Sequence, residues 1–165
     1  MNKDFENEII AIAKKNKDKN TYKPEILQHS LEDKQYKEVI EHLFSITLNA
    51  IDIYNSNSES ELLSTYRLPR EFLEMFLEIP GRREGFCIIS PTRIVIFFDE
   101  DSQIITVIGK TRNSESNNTN LPTKTHQLFK VSFSKMEKNY EYKDNTGGVL
   151  DPYEIVSLLI RWISG

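Results

Sequence analysis

The stretch GFCIISPTRIVIFFDEDSQIITVIGK, Gly85 to Lys110, decides the fold. Two clusters of turn-forming residues, Ser90-Pro91-Thr92 and Asp99-Glu100-Asp101-Ser102, divide it into three short runs rich in β-branched and aromatic side chains. The runs read as an antiparallel meander. Its middle strand, Arg93-Ile94-Val95-Ile96-Phe97-Phe98, is apolar at odd and even positions alike. An antiparallel sheet commonly leaves one face wet, so a strand apolar on both faces needs cover on the second, from this chain or from another molecule.

On the C-terminal side, Thr111 to Thr125 is a polar run expected to form a long mobile loop. Gln127 to Ser134 alternates, with Leu128, Lys130 and Ser132 against Phe129, Val131 and Phe133, the pattern of a strand with one wet face. Lys135 to Lys138 turns into a second strand, Asn139 to Lys143, where Tyr140 and Tyr142 share a face. Asp144-Asn145-Thr146-Gly147-Gly148 is a connector. Asp151-Pro152-Tyr153-Glu154 then opens a helix with cap, N1 proline and N3 glutamate in place, and Ile155, Val156, Leu159, Ile160 and Ile163 form its inward stripe, with Trp162 at an edge.

On the N-terminal side, Asp4 to Lys15 forms a short amphipathic helix with Phe5, Ile9, Ile12 and Ala13 on one stripe, followed by the polar run Lys14 to Asn20 and a helical turn from Pro24 to Gln28. The strongest helix starts at Ser30, with Asp33 in capping position, and ends near Tyr54. Tyr36, Val39, Ile40, Leu43, Phe44, Thr47, Leu48 and Ile51 keep the spacing of a buried helical face, while Lys37, Glu38, Glu41, His42 and Asn49 fall off it. After a polar linker, Leu62 to Tyr66 reads as a turn and Pro69 to Ile79 as a helix with Phe72, Leu73, Phe76 and Leu77 inward, stopped by Pro80-Gly81.

The whole reads as one α+β domain spanning 1–165. N-terminal helices precede a five-stranded antiparallel sheet, a meander over 85–110 plus a hairpin over 127–143, and a C-terminal helix packs on that sheet. Residues 1–23 are a loosely attached helical extension in this reading, and 111–125 the mobile loop.

The bulk properties set limits on function. A chain of 165 residues, 38% hydrophobic and 28% charged, buries enough surface to fold without a disulfide, metal or cofactor. A net charge of −4 lacks the basic signature of a nucleic-acid binder, and the Lys14–Lys23 run has no interleaved aromatic until Tyr22. Cys87 is the single cysteine, which fits a reducing compartment and reads as a small buried hydrophobe. Acidic residues precede the brief apolar run Ile9–Ala13, unlike a signal peptide, and no stretch approaches the roughly 20 apolar residues that cross a bilayer. The expectation is a cytoplasmic protein without membrane contact, in which the Asn117-Asn118-Thr119 sequon is incidental.

Candidate chemistry is sparse. A helix–loop–helix calcium loop counted from Asp99 would need Gly and Glu where Ile104 and Lys110 stand, so no metal site is assigned. Glu141-Tyr142-Lys143 has the E-x-K spacing of one class of magnesium-dependent nucleases, in which a strand aims a carboxylate at the metal and a lysine at the reacting water. Asp99 or Asp101 would complete that set. Arg82 and Arg83 form a candidate anion site. Lys130, Ser132, Tyr140 and Tyr142 are the candidate partner-binding residues at the margin of the wet sheet face.

No Gly-rich phosphate loop, Cys/His metal spacing or nucleophile elbow occurs. The leading expectation is therefore a non-enzymatic protein-interaction module, such as an adaptor, chaperone, immunity factor or antitoxin, acting through its sheet on another protein or on itself. Two alternatives stand beside it. One is a metal-dependent nuclease using Asp99 or Asp101 with Glu141 and Lys143; the other is a small-ligand binder with a pocket lined by Phe97, Phe129 and Tyr142.

Overall fold

The computed structural model describes residues 3–17, 30–59, 62–77, 83–101, 103–112 and 123–165. The expected turn at Pro24–Gln28 lies outside the described residues, as does the middle of the expected 111–125 loop. The chain divides into two compact units, Met1–Ser30 and Leu31–Gly165. The first contains α1 (Lys3–Lys17), whose expected apolar stripe is open to solvent, with Phe5, Ile9 and Ile12 all exposed.

The second unit holds α2 (Ser30–Asn57) from its second residue onward, followed by β1 (Ser64–Leu68), α3 (Arg70–Leu77), β2 (Gly85–Ile89), β3 (Arg93–Asp101), β4 (Ile104–Arg112), β5 (Thr123–Lys135), β6 (Tyr140–Lys143), β7 (Val149–Leu150) and α4 (Pro152–Ser164). The strands form one sheet in the order β1-β2-β3-β4-β5-β6-β7, each pair antiparallel. The α+β class and the placement of helices before and after the sheet hold. Among the described residues the sheet has seven strands rather than five.

Both added strands are margins. β1 is Ser-Thr-Tyr-Arg-Leu, in which Leu68 alone is buried, so its composition carries little strand signal. Pairing with β2 and a hydrogen bond from Thr65 Oγ1 to the Cys87 carbonyl (2.8 Å) hold it extended. β7 has two residues and pairs with β6 through a turn in which Asp144 Oδ1 accepts bonds from the Thr146 amide and hydroxyl and the Gly148 amide. Gly147 occupies the left-handed region there, at φ 83°, where a side chain would be strained. β4 and β5 also extend into the span expected to be loop, pairing as far as Arg112 with Thr123.

Strand alternation sorts the core into two layers. Phe86, Ile88, Val95, Phe97, Ile105, Val107, Val131, Phe133 and Tyr142 face one side, where they pack with Tyr36, Val39, Ile40, Leu43 and Phe44 of α2 and Ile155, Leu159 and Ile163 of α4. Phe86 stacks on Phe97 (4.1 Å) and meets Phe44 edge-on (5.4 Å). Each such ring, fully buried, contributes about 1.5–3 kcal/mol of transfer free energy. Within α2, Ile46 is buried and Leu48 exposed, the reverse of the expected assignment for Leu48. Both fit a helix whose buried stripe drifts around its axis over eight turns, since 3.6 residues per turn does not repeat on seven.

The opposite face, here called the outer face, carries a smaller cluster of Leu68, Cys87, Ile96 and Phe98, covered by Leu73 of α3. The second apolar face of β3 is thus covered at one end by a helix of eight residues. Phe72 of α3 is exposed rather than inward, and the side chains of Phe76 and Leu77 lie outside the described set. No described helix is long and apolar enough to cross a membrane.

Candidate functional site

Register locates every candidate residue. Asp99 lies on the helix-covered face of β3, two positions after Phe97, and its carboxylate is buried. Asp101 ends β3 beyond a bulge, paired with Ile104. Glu141 and Lys143 lie on β6, on the outer face, where Lys143 Nζ is 3.1 Å from Glu141 Oε1. Since β4 and β5 stand between β3 and β6, Asp99 and Glu141 are separated by roughly 14 Å across the sheet and also point to opposite faces. The four residues of the nuclease alternative are not brought together. Among the described residues no cluster of three His, Cys, Asp or Glu side chains could hold a metal.

Asp99 has a structural partner instead. Arg83 donates from its backbone amide to Asp99 Oδ1 (2.7 Å) and from Nε to Oδ2 (2.9 Å), while its Nη1 reaches Asp33 Oδ1 of α2 (2.9 Å). The guanidinium lies 4.4 Å from the Tyr36 ring centre, and the Tyr36 hydroxyl donates to the Glu84 carbonyl (2.6 Å). Burial, and next the nearby Asp99 charge, raise the Tyr36 hydroxyl well above the ordinary tyrosine value. Arg83 is therefore engaged by two carboxylates and a ring, which ties the start of β2 to β3 and α2. Arg83, expected with Arg82 to form an anion site, has these partners; Arg82 lies outside the described residues. Cys87 is buried in β2, and burial pushes its thiol up to about 11, as expected for an inert hydrophobe.

The four partner-binding candidates divide between the faces. Lys130 and Ser132 lie on the outer face, where cross-strand rows run Phe98–Thr106–Lys130 and Ile104–Ser132–Lys143. Two further rows on that face, Ser64–Ile89–Ile94–Lys110 and Tyr66–Cys87–Ile96–Ile108–Gln127, lie toward β1. In them Ile89, Ile94 and Ile108 are only half-buried and Tyr66 is 56% exposed. The outer face thus has a partly open apolar region beside α3 that grades into polar and charged residues toward β6. Sequence reasoning placed Leu128 with Lys130 and Ser132. A register shift in β5 between Phe129 and Gln127 instead packs Leu128 against the helix-side core.

Tyr140 and Tyr142 face the other way. Tyr142 is 2% exposed and packs in the core. Together with Glu38 and His42 of α2, Lys135, Lys138 and Asn139 of the β5–β6 hairpin, and Pro152 of α4, the two tyrosines line a cleft of about 400 Å³. Glu38 and His42 are four apart on one helix face, which points both into the same opening. The Tyr140 hydroxyl donates to Glu38 Oε2 (2.6 Å), and Lys135 Nζ lies 3.9 Å from the same oxygen. That hydroxyl bond holds the Glu38 carboxyl below its usual value. Burial, then the Glu38 bond, push the Tyr140 hydroxyl up to about 12; burial, then Tyr140, do the same to Tyr142. Phe97 and Phe129, expected beside Tyr142 around a ligand pocket, do not line this cleft.

Compared with family models, with curated proteins and with solved structures, the chain matches none.

Proposed function

We propose that the chain is a non-enzymatic protein-interaction module that meets its partner on the outer face of the sheet. The observation that carries this reading is the incomplete cover of that face. α3 buries Cys87, Ile96 and Phe98, but leaves Tyr66, Ile89, Ile94 and Ile108 partly open, with Lys110, Gln127, Lys130 and Ser132 around them. An apolar centre with an aromatic residue and a polar rim is the usual anatomy of a protein interface. The exposed stripe of α1 is a second apolar surface of the same kind.

Tyr66→Ala and Ile94→Lys test the reading in the full chain. Size exclusion with light scattering is expected to show a dimer, or affinity capture a stoichiometric protein partner, and either assembly is lost in both variants while their melting stays cooperative. A strictly monomeric chain that retains no partner would overturn the proposal. So would a complex indifferent to both substitutions.

A further inference from the structure

The cleft between α2 and the β5–β6 hairpin is lined by hydrogen-bond donors that the fold leaves to solvent. Its one lining carboxylate among the described residues, Glu38, is already taken by the Tyr140 hydroxyl and by Lys135. The side chains of Lys138, Asn139 and His42 make no hydrogen bond or ion pair with any described residue. The Tyr142 hydroxyl is buried and has no partner among the described residues. A buried polar group without a partner is uncommon in folded proteins and calls for an explanation.

Charge and shape complete the description. Lys135 and Lys138 set two ammonium groups against the single Glu38 carboxylate, a local excess of positive charge on a chain whose net charge is −4. The Tyr140 ring and Pro152 add apolar wall. At about 400 Å³ the cleft falls within the range of small-molecule sites. Unpaired donors, surplus positive charge and an aromatic wall complement an anion rich in acceptor oxygens and carried on an apolar body.

We propose that this cleft binds a small organic oxyanion, a carboxylate or a phosphate. Lys138, Asn139 and His42 supply donors to its oxygens, and its apolar part lies against Tyr140 and Pro152. The site is on the helix-covered side of the sheet, away from the proposed partner face, so the two proposals stand or fall separately.

The test is a titration of the full chain followed by backbone amide NMR, with benzoate, phenyl phosphate and, as a cation of similar size, benzylammonium. Benzoate or phenyl phosphate is expected to give saturable shifts confined to residues 38–42 and 135–142, and benzylammonium none. The tighter of the two anions identifies the head group. Lys138→Gln and Asn139→Ala are each expected to weaken binding by about fivefold or more, the loss of one hydrogen bond to an anion. Both side chains are exposed, so the fold survives either substitution. Equal shifts with benzylammonium, shifts that never saturate, or unchanged affinity in both variants would overturn the proposal.

Discussion

Trp162 occupies the space in front of Gly109. A Cβ at that position would lie 2.4 Å from the indole Cη2 and within 2.9 Å of two further ring atoms. The Arg93 guanidinium sits 5.0 Å from the same ring and donates to the Trp162 carbonyl, and His126 meets the indole edge-on at 5.9 Å. The glycine of β4 is thus the notch that seats the end of α4 on the sheet.

Gly109→Ala should accordingly cost on the order of 1–3 kcal/mol, the usual penalty for overpacking a filled site. Urea unfolding measures it. Pairing it with Trp162→Leu should give a loss smaller than the sum of the two single losses, because the smaller side chain vacates the clash. Wild-type stability in Gly109→Ala would mean that the indole is not held against β4.

Arg83→Met should be more damaging than its position in a connecting segment suggests. It keeps the side-chain bulk but leaves the buried Asp99 carboxylate with the Arg83 amide alone. Removing one partner of a buried ion pair typically costs about 3–5 kcal/mol, and the partial exposure of Arg83 places the expected loss near about 3 kcal/mol. The double substitution Arg83→Met with Asp99→Leu should recover much of it, since no charge is then stranded. No recovery in chemical denaturation would show that the arginine acts through something other than Asp99.

Alkaline pH should weaken the fold through Tyr142. Its hydroxyl ionises near 12 in the folded state, against about 10 for an unfolded tyrosine. The folded state therefore keeps a proton that the unfolded state releases. The associated stability is complete below about pH 10 and is lost as pH rises from there toward 12. Tyr142→Phe should flatten the decline of urea midpoint with pH over that window. At neutral pH the same substitution should be neutral or stabilising by up to about 1 kcal/mol, because it removes a buried hydroxyl that has no partner. Identical pH slopes for the two proteins would refute the assignment to Tyr142.

Much of the fold was legible because hydrophobic periodicity reports burial directly. The meander, the buried face of α2 and the stripe of α4 all rest on side chains that alternate or recur in step with their backbone. β1 escaped because an edge strand with one buried residue has no period to detect. Leu128 was misplaced because a bulge changes face without changing composition. His42 lies off the apolar stripe, and nothing in its sequence neighbours points to a cleft. That opening exists because a hairpin about a hundred residues away returns beside α2, as the Tyr140–Glu38 bond records.

By itself, the sequence determined the α+β class, the antiparallel pairing of its middle strands, the order of helices around the sheet and most of the core, since each follows from local patterns of burial. Only the tertiary structure decided which polar residues meet. It joined Asp99 to Arg83 rather than to Glu141, sank Tyr142 into the core while leaving its hydroxyl unpaired, and placed Lys130 and Ser132 on the opposite face from Tyr140. Those outcomes depend on strand order and register. Two residues far apart in sequence become neighbours, or end on opposite faces, according to pairings that no local pattern encodes.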